Sequence, residues 1–226
     1  MVGSTQLNAR LTAPAHRVGW AVLGSSVRWR PETAILHALH NAGFATMQVD
    51  LLQMQERPLG PSALSAMTLT ERLVLATHWL AGERNREQLP VGYVGLYGDA
   101  ALHLHAAVLA PEHVKALVLW QGNPLAVHHI LSMVQAPALL LVNGADSELV
   151  EKNVQAYWQM GGLGQVAVLP RAASLLRERA SLWTVAHLAV RWLQRHLQGK
   201  RPLKEMDNQL FGLVSGLPAW GGHRLL

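Results

Sequence analysis

Short continuous runs of Val, Leu and Ala alternate along this chain with longer stretches of helical period, and this alternation narrows the fold more than any other feature. "VGWAVLG" (18–24), "FATMQVDLL" (44–52), 91–96, "VKALVLW" (114–120), "APALLLVNG" (136–144) and "QVAVLP" (165–170) read as buried strands. Between them, "PETAILHALHNAG" (31–43) reads as a helix, with Pro31 suited to its first turn and Gly43 to its stop. "TERLVLATHWLAG" (70–82) has Thr70 as N-cap, an apolar face at Leu73, Ala76, Thr77 and Leu80, and Gly82 as stop. Further helices are expected over 99–109, 148–160 and 181–197. In the last of these, Leu182, Val185, Ala186, Ala189 and Leu193 share one face, and Arg191, Gln194, Arg195 and Gln198 another. Continuous apolar strands bracketed by helices predict an α/β fold, a mostly parallel central sheet with helices on both faces.

The 226 residues suffice for one such domain, placed at 1–198. Residues 199–226 form a separate extension. It carries Leu203, Met206, Leu210, Phe211, Leu213, Val214, Leu217 and Trp220 among Gly and Pro breaks, unlike the polar composition of a disordered tail. The expectation is a hydrophobic, Gly-rich arm that docks on a neighbouring subunit or partner. No internal repeat or low-complexity segment interrupts the pattern.

Composition excludes several classes. Zero Cys removes disulfides, thiolate nucleophiles and thiolate metal sites. No apolar run approaches the ~18 residues of a membrane span. The start "MVGSTQLNARLTAP" lacks the pattern of a secretory signal, which makes the cytoplasm the expected compartment. Net charge is +5, but the 19 basic residues are scattered, which argues against a nucleic-acid partner. Charged residues make up only 15% of the chain, and eight Trp accompany them. A surface so short of charge points to burial against a partner, in a homo-oligomer or a complex.

In parallel sheets of this kind, function gathers at the carboxyl ends of the strands. "GYVGLYGDA" (92–100) has the build of a nucleophile elbow, a strand running into a Gly-framed turn and a small-residue helix. Gly95 and Gly98 frame the turn, Asp99 stands where a further Gly is usual, and the nucleophile position holds Tyr97. Gly24, Ser25 and Ser26 end the first buried strand, and "LLLVNGAD" brings Asp146 into a loop before a helix. The loop after 165–170 reads Arg171-Ala172-Ala173-Ser174, without His.

The order and spacing of "AGFATMQVDLL" (42–52), "TERLVLATHWL" (70–80), "LPVGYVG" (89–95), "VKALVLWQGNP" (114–124), "APALLLVNGAD" (136–146) and "LAVRWLQRHL" (188–197) carry a resemblance. From about residue 7 to 197, the chain resembles the compact, lidless α/β-hydrolases of the dienelactone hydrolase type, including the version found beside phosphoribosyltransferase domains. The resemblance implies the α/β-hydrolase fold. In ester-hydrolysing members, Ser or Cys stands at the position of Tyr97. The family's His falls at Ser174, and its acid is retained as Asp146. The His-Gly of the oxyanion loop maps near Ala21–Val22, while "GSS" persists at Gly24–Ser26. The triad-equivalent positions are therefore Tyr97, Asp146 and Ser174, two of them altered.

Other groups offer limited rescue. A phenol with pKa ≈ 10 needs strong perturbation to ionise at neutral pH, so Tyr97 reads as filling an emptied site. Asp99 reads as the cap of the following helix, the alternative being a displaced carboxylate nucleophile pointing into the cleft. Asp146 suits a turn or a helix N-cap without catalysis. Ser25 and Ser26 could donate to a ligand, but no His is placed to activate them. Ser174 is too short to serve as a base. Among the 12 His, the pairs His37/His40, His103/His105 and His128/His129 show no convergent ligand motif, so no metal is expected. No nucleotide-binding glycine motif occurs, and no cofactor is expected. The expectation is a catalytically inactive hydrolase-like protein acting in binding or assembly. The alternatives are a hydrolase of small esters or lactones using non-standard groups around Tyr97, Asp99 and Asp146, and a small-ligand receptor using the old cleft, lined by Gly24, Ser25, Ser26, Tyr97, Gly98, Asp99 and Asp146.

Overall fold

A computed structural model describes residues 6–27, 33–84, 87–169 and 175–198. The tail at 199–226, Pro31 and Ser174 lie outside the described residues, as do the expectations placed on them.

Seven strands form one sheet: β1 (Asn8–Thr12), β2 (Gly19–Ser25), β3 (Phe44–Asp50), β4 (Val91–Leu96), β5 (Val114–Trp120), β6 (Ala138–Asn143) and β7 (Gly164–Leu169). Five helices accompany them: α1 (Thr33–Asn41), α2 (Ala66–Trp79), α3 (Ala100–Leu109), α4 (Ser147–Gln159) and α5 (Leu175–Leu197). The spatial order is β1-β3-β2-β4-β5-β6-β7, and every neighbouring pair is parallel except β1 with β3.

Side chains alternate across the sheet and feed two apolar layers. Trp20, Val22, Val91 and Tyr93 enter a layer shared with α2 and α3, while Ala21, Leu23, Val94 and Leu96 enter one shared with α1 and α5. The expected inner face of the last helix is confirmed, with Val185, Ala186, Ala189 and Leu193 all buried. Burial on both faces is why these strands read as continuous apolar runs.

The differences from expectation fall at element ends. The antiparallel strand β1, "NARLT", is exposed along its whole length and has no apolar run to announce it. Helix α2 begins a turn before Thr70: Ser65 caps it, its hydroxyl accepting from Thr68 N at 3.0 Å. Thr70 is buried instead and donates to Ala66 O at 2.9 Å. Gly82 does not stop that helix, which runs on through a π turn over Leu80–Arg84. Helix α5 begins at Leu175, a turn and more before 181. Gly43 does end α1, in a left-handed conformation with φ 86°. Among the described residues, no helix is long and apolar enough to cross a membrane.

Strand β2 is followed by β3 on one side, after which the chain crosses to place β4 on the other. The connections part there, and a crevice opens beyond the carboxyl ends of β2 and β4.

Candidate functional site

The crevice is a cavity of about 280 Å³ whose walls are the end of β2, from Leu23 to Val27, and the turn after β4, from Leu96 to Asp99, with Pro61 at its edge. Of the residues expected to line it, Gly24, Ser25, Ser26, Tyr97, Gly98 and Asp99 all do. Asp146 does not line it.

Tyr97 occupies the sharp turn between β4 and α3 with φ 51°, a left-handed conformation uncommon for a side chain of this size. Such a strained strand-to-helix turn is the backbone signature of an elbow. The phenol does not plug the crevice as expected. The residue is 45% exposed and its ring leans on Trp120, with 5.1 Å between centroids.

Asp99 corrects a second expectation. It sits at the N-cap position of α3, yet its side chain caps nothing. The carboxylate turns back toward the end of β2. Oδ1 accepts from the Ser26 hydroxyl at 2.5 Å, and Oδ2 accepts from Ser25 Oγ and Ser26 N, each at 3.2 Å. Asp99, Ser25 and Ser26 are all buried, and these three hydrogen bonds offset the cost of burying a carboxylate. An elbow's oxyanion site draws one of its N–H donors from the loop after this buried strand. Here the N–H of Ser26 is already given to an internal anion.

Sequence reasoning weighed His103 only as a metal ligand and missed its part in this site. It is wholly buried on α3 behind the elbow, with its ring edge-on to Tyr93. Nε2 accepts from Gly24 N at 3.1 Å, so the proton lies on Nδ1, which donates to Asp99 O at 2.8 Å. Burial lowers its pKa, outweighing the opposite pull of the Asp99 carbonyl and carboxylate, and the imidazole is neutral. One ring thus ties the backbone of β2 to the first turn of α3. Gly95 makes room for it: a Cβ there would lie 2.8 Å from His103 Nδ1. The Gly before the elbow was visible in the sequence, and a His in the first turn of the next helix is the partner that explains it.

Asp146 caps α4, accepting from Leu149 N at 2.9 Å, as its type suggested. The pairs His37/His40, His103/His105 and His128/His129 do not form a ligand set. Among the described residues, the group of His and carboxylates close enough to hold a metal is His78, Glu112 and His113, away from the crevice. A second cavity, of about 380 Å³, adjoins the first at Ser25 and Val27 and extends toward β1 past the Asp50–Arg57 ion pair.

Comparison with known proteins agrees with this fold. The dienelactone hydrolase of Anabaena variabilis is 33% identical, with a TM-score of 0.80 over 87% of this chain and 95% of that one. A dienelactone hydrolase-like promiscuous phosphotriesterase from metagenomic libraries is 14% identical, with a TM-score of 0.60 over 82% of this chain and 98% of that one, and shares the fold. A Mycobacterium tuberculosis protein named "Putative phosphoribosyl transferase" is 34% identical over 206 residues, which are 89% of this chain. The chain spans 46% of that relative's length. No family model matches the chain. Identity of 33% to the Anabaena enzyme along nearly the whole of its length shows that this chain belongs to the dienelactone hydrolase family of α/β-hydrolases.

Proposed function

We propose that this protein is a non-hydrolytic member of its family, a pseudoenzyme whose role is binding or assembly in the cytoplasm. The observation that carries the reading is the state of the elbow. Its strained position holds Tyr97, half exposed with its ring against Trp120, and the adjacent Asp99 carboxylate takes the hydroxyls of Ser25 and Ser26 together with the Ser26 N–H. A developing oxyanion would meet a fixed negative charge there instead of a free donor. Three Trp among the described residues, Trp79, Trp158 and Trp183, are 40%, 69% and 52% exposed, which supports burial against a partner or a second copy.

A second reading rests on the retained cavity of about 280 Å³, a volume near the lower end of small-molecule sites. The alternative, a hydrolase of small esters or lactones, requires Tyr97, Asp99 or a cleft serine to act as nucleophile.

The test is hydrolysis of activated aryl esters by the purified protein, beside a heat-denatured control. The expected result is no turnover above the control, since loss of triad members costs on the order of 10⁴–10⁶ in rate. Turnover that Tyr97→Phe or Asp99→Asn abolishes would establish the hydrolase instead. Light scattering on the same sample is expected to give a mass above that of a monomer, or capture of a protein partner; a monomer without partners contradicts the assembly role.

A further inference from the structure

The sheet has a second chemically distinct end. Opposite the crevice, at the amino ends of β4 and β5, three side chains converge from two segments. His78 lies in the last turn of α2, and Glu112 and His113 lie in the turn between α3 and β5. Their donor atoms all fall within 4.8 Å of one another. Glu112 Oε1 stands 3.3 Å from His113 Nε2 and 3.9 Å from His78 Nε2. The two imidazoles meet edge-on, their centroids 5.0 Å apart.

We propose that His78, Glu112 and His113 form a binding site for a divalent transition-metal ion of the zinc type. Two imidazoles and a carboxylate are a donor set that suits zinc, with a fourth position open to water. Donors on a tetrahedral ion at ~2.0–2.1 Å stand roughly 3.3 Å apart, so one edge of the triangle is already at its bound length and the others close by small rotations of exposed side chains. The backbone beneath is fixed. His113 N and Val114 N both donate to Ala110 O at 3.1 Å, and His78 is held within a helix. The side chains are 48%, 53% and 28% exposed for His78, Glu112 and His113, so an ion reaches them from solvent without opening the fold. A bound ion would clamp the end of α2 to the turn that launches β5. This site is independent of the crevice and stands whether or not the elbow is catalytic.

A second close grouping of histidines lacks this chemistry. The rings of His128 and His129 lie 5.6 Å apart, and those of His105 and His129 6.2 Å apart, without a carboxylate in the set. It provides the control.

The experiment is calorimetric titration of chelator-treated, full-length protein with zinc chloride. One equivalent is expected to bind. Glu112→Gln and His113→Gln are each expected to weaken it by more than about 100-fold, since losing even an outer partner of a metal ligand costs about 10–100-fold. The double variant His128→Gln/His129→Gln is expected to bind as wild type. In the unaltered protein, zinc-induced changes in imidazole nitrogen resonances are expected at His78 and His113, a readout that does not depend on any variant folding. No zinc uptake, equal affinity in Glu112→Gln and His113→Gln, or resonance changes confined to other histidines would each overturn the proposal.

Discussion

His103 shows how one buried side chain can define a site without facing it. Its neutral ring holds Gly24 N on one side and Asp99 O on the other, so protonation would break the bond from Gly24 and place a charge in an apolar layer. The depressed pKa fixes the sign of the pH dependence. The unfolded chain takes up a proton below about 6.5 while the folded one does not, so stability falls as pH drops through that value. The loss is expected to reach no more than about 1.4 kcal/mol per pH unit, and to end at the folded-state pKa. Denaturant unfolding between pH 7 and pH 5 should show a flatter slope in His103→Phe than in wild type. His40, His105 and His196, also lowered by burial, contribute equally to both proteins. Equal slopes would remove His103 from its assigned role. The residue scale is also where the sequence was least legible. Asp is a common cap type, and nothing local told that Asp99 would turn toward Ser25 and Ser26. The signal lay some seventy positions away, in two adjacent serines that end a neighbouring strand.

At the level of elements, legibility followed burial. The six parallel strands were readable because both of their faces are apolar, whereas β1 was hidden by its exposure. The start of α2 was misread because Thr70 and Ser65 are both good cap types, and packing decided between them. Two contacts between elements can be tested. Gly122, after β5, lies against the first turn of α3, where a Cβ would stand 2.1 Å from Ala100 Cβ. Gly122→Ala is expected to destabilise the fold by about 1–3 kcal/mol through overpacking, read from the shift of the urea midpoint. An unchanged midpoint would contradict so close an approach of Gly122 to Ala100.

The second contact ties the segment after β3 to α2. Arg72 donates to both carboxylate oxygens of Glu56, at 2.6 and 2.7 Å, and to Leu51 O at 2.8 Å. The hydrogen bonds from Arg72 hold the Glu56 carboxyl below its ordinary range, against a smaller opposite effect of burial. A depressed carboxyl stabilises the fold at neutral pH, and that contribution is lost as pH falls through the folded-state pKa, below about 4.3. Arg72→Met is expected to cost about 2 kcal/mol at pH 7 and to narrow the stability difference from wild type toward pH 3. A difference that does not change with pH would exclude the pair as its source.

For the whole molecule, the reversal of strand order around β2 places the crevice, and the alternation of strands and helices was enough to anticipate the sheet that contains it. Membership of the dienelactone hydrolase family was legible for the same reason, since framework motifs record the packing of the sheet. Activity is recorded in a few side chains at its edge, and there the turn after β4 carries Tyr97 in a left-handed conformation. In the proposed pseudoenzyme the frame carries no activated nucleophile. Intact-mass measurement after exposure to a fluorophosphonate probe tests this without knowledge of any substrate. The mass is expected to stay unchanged under conditions that label an esterase control completely, whereas a stoichiometric adduct on Ser25, Ser26 or Tyr97 that denaturation abolishes would contradict the account.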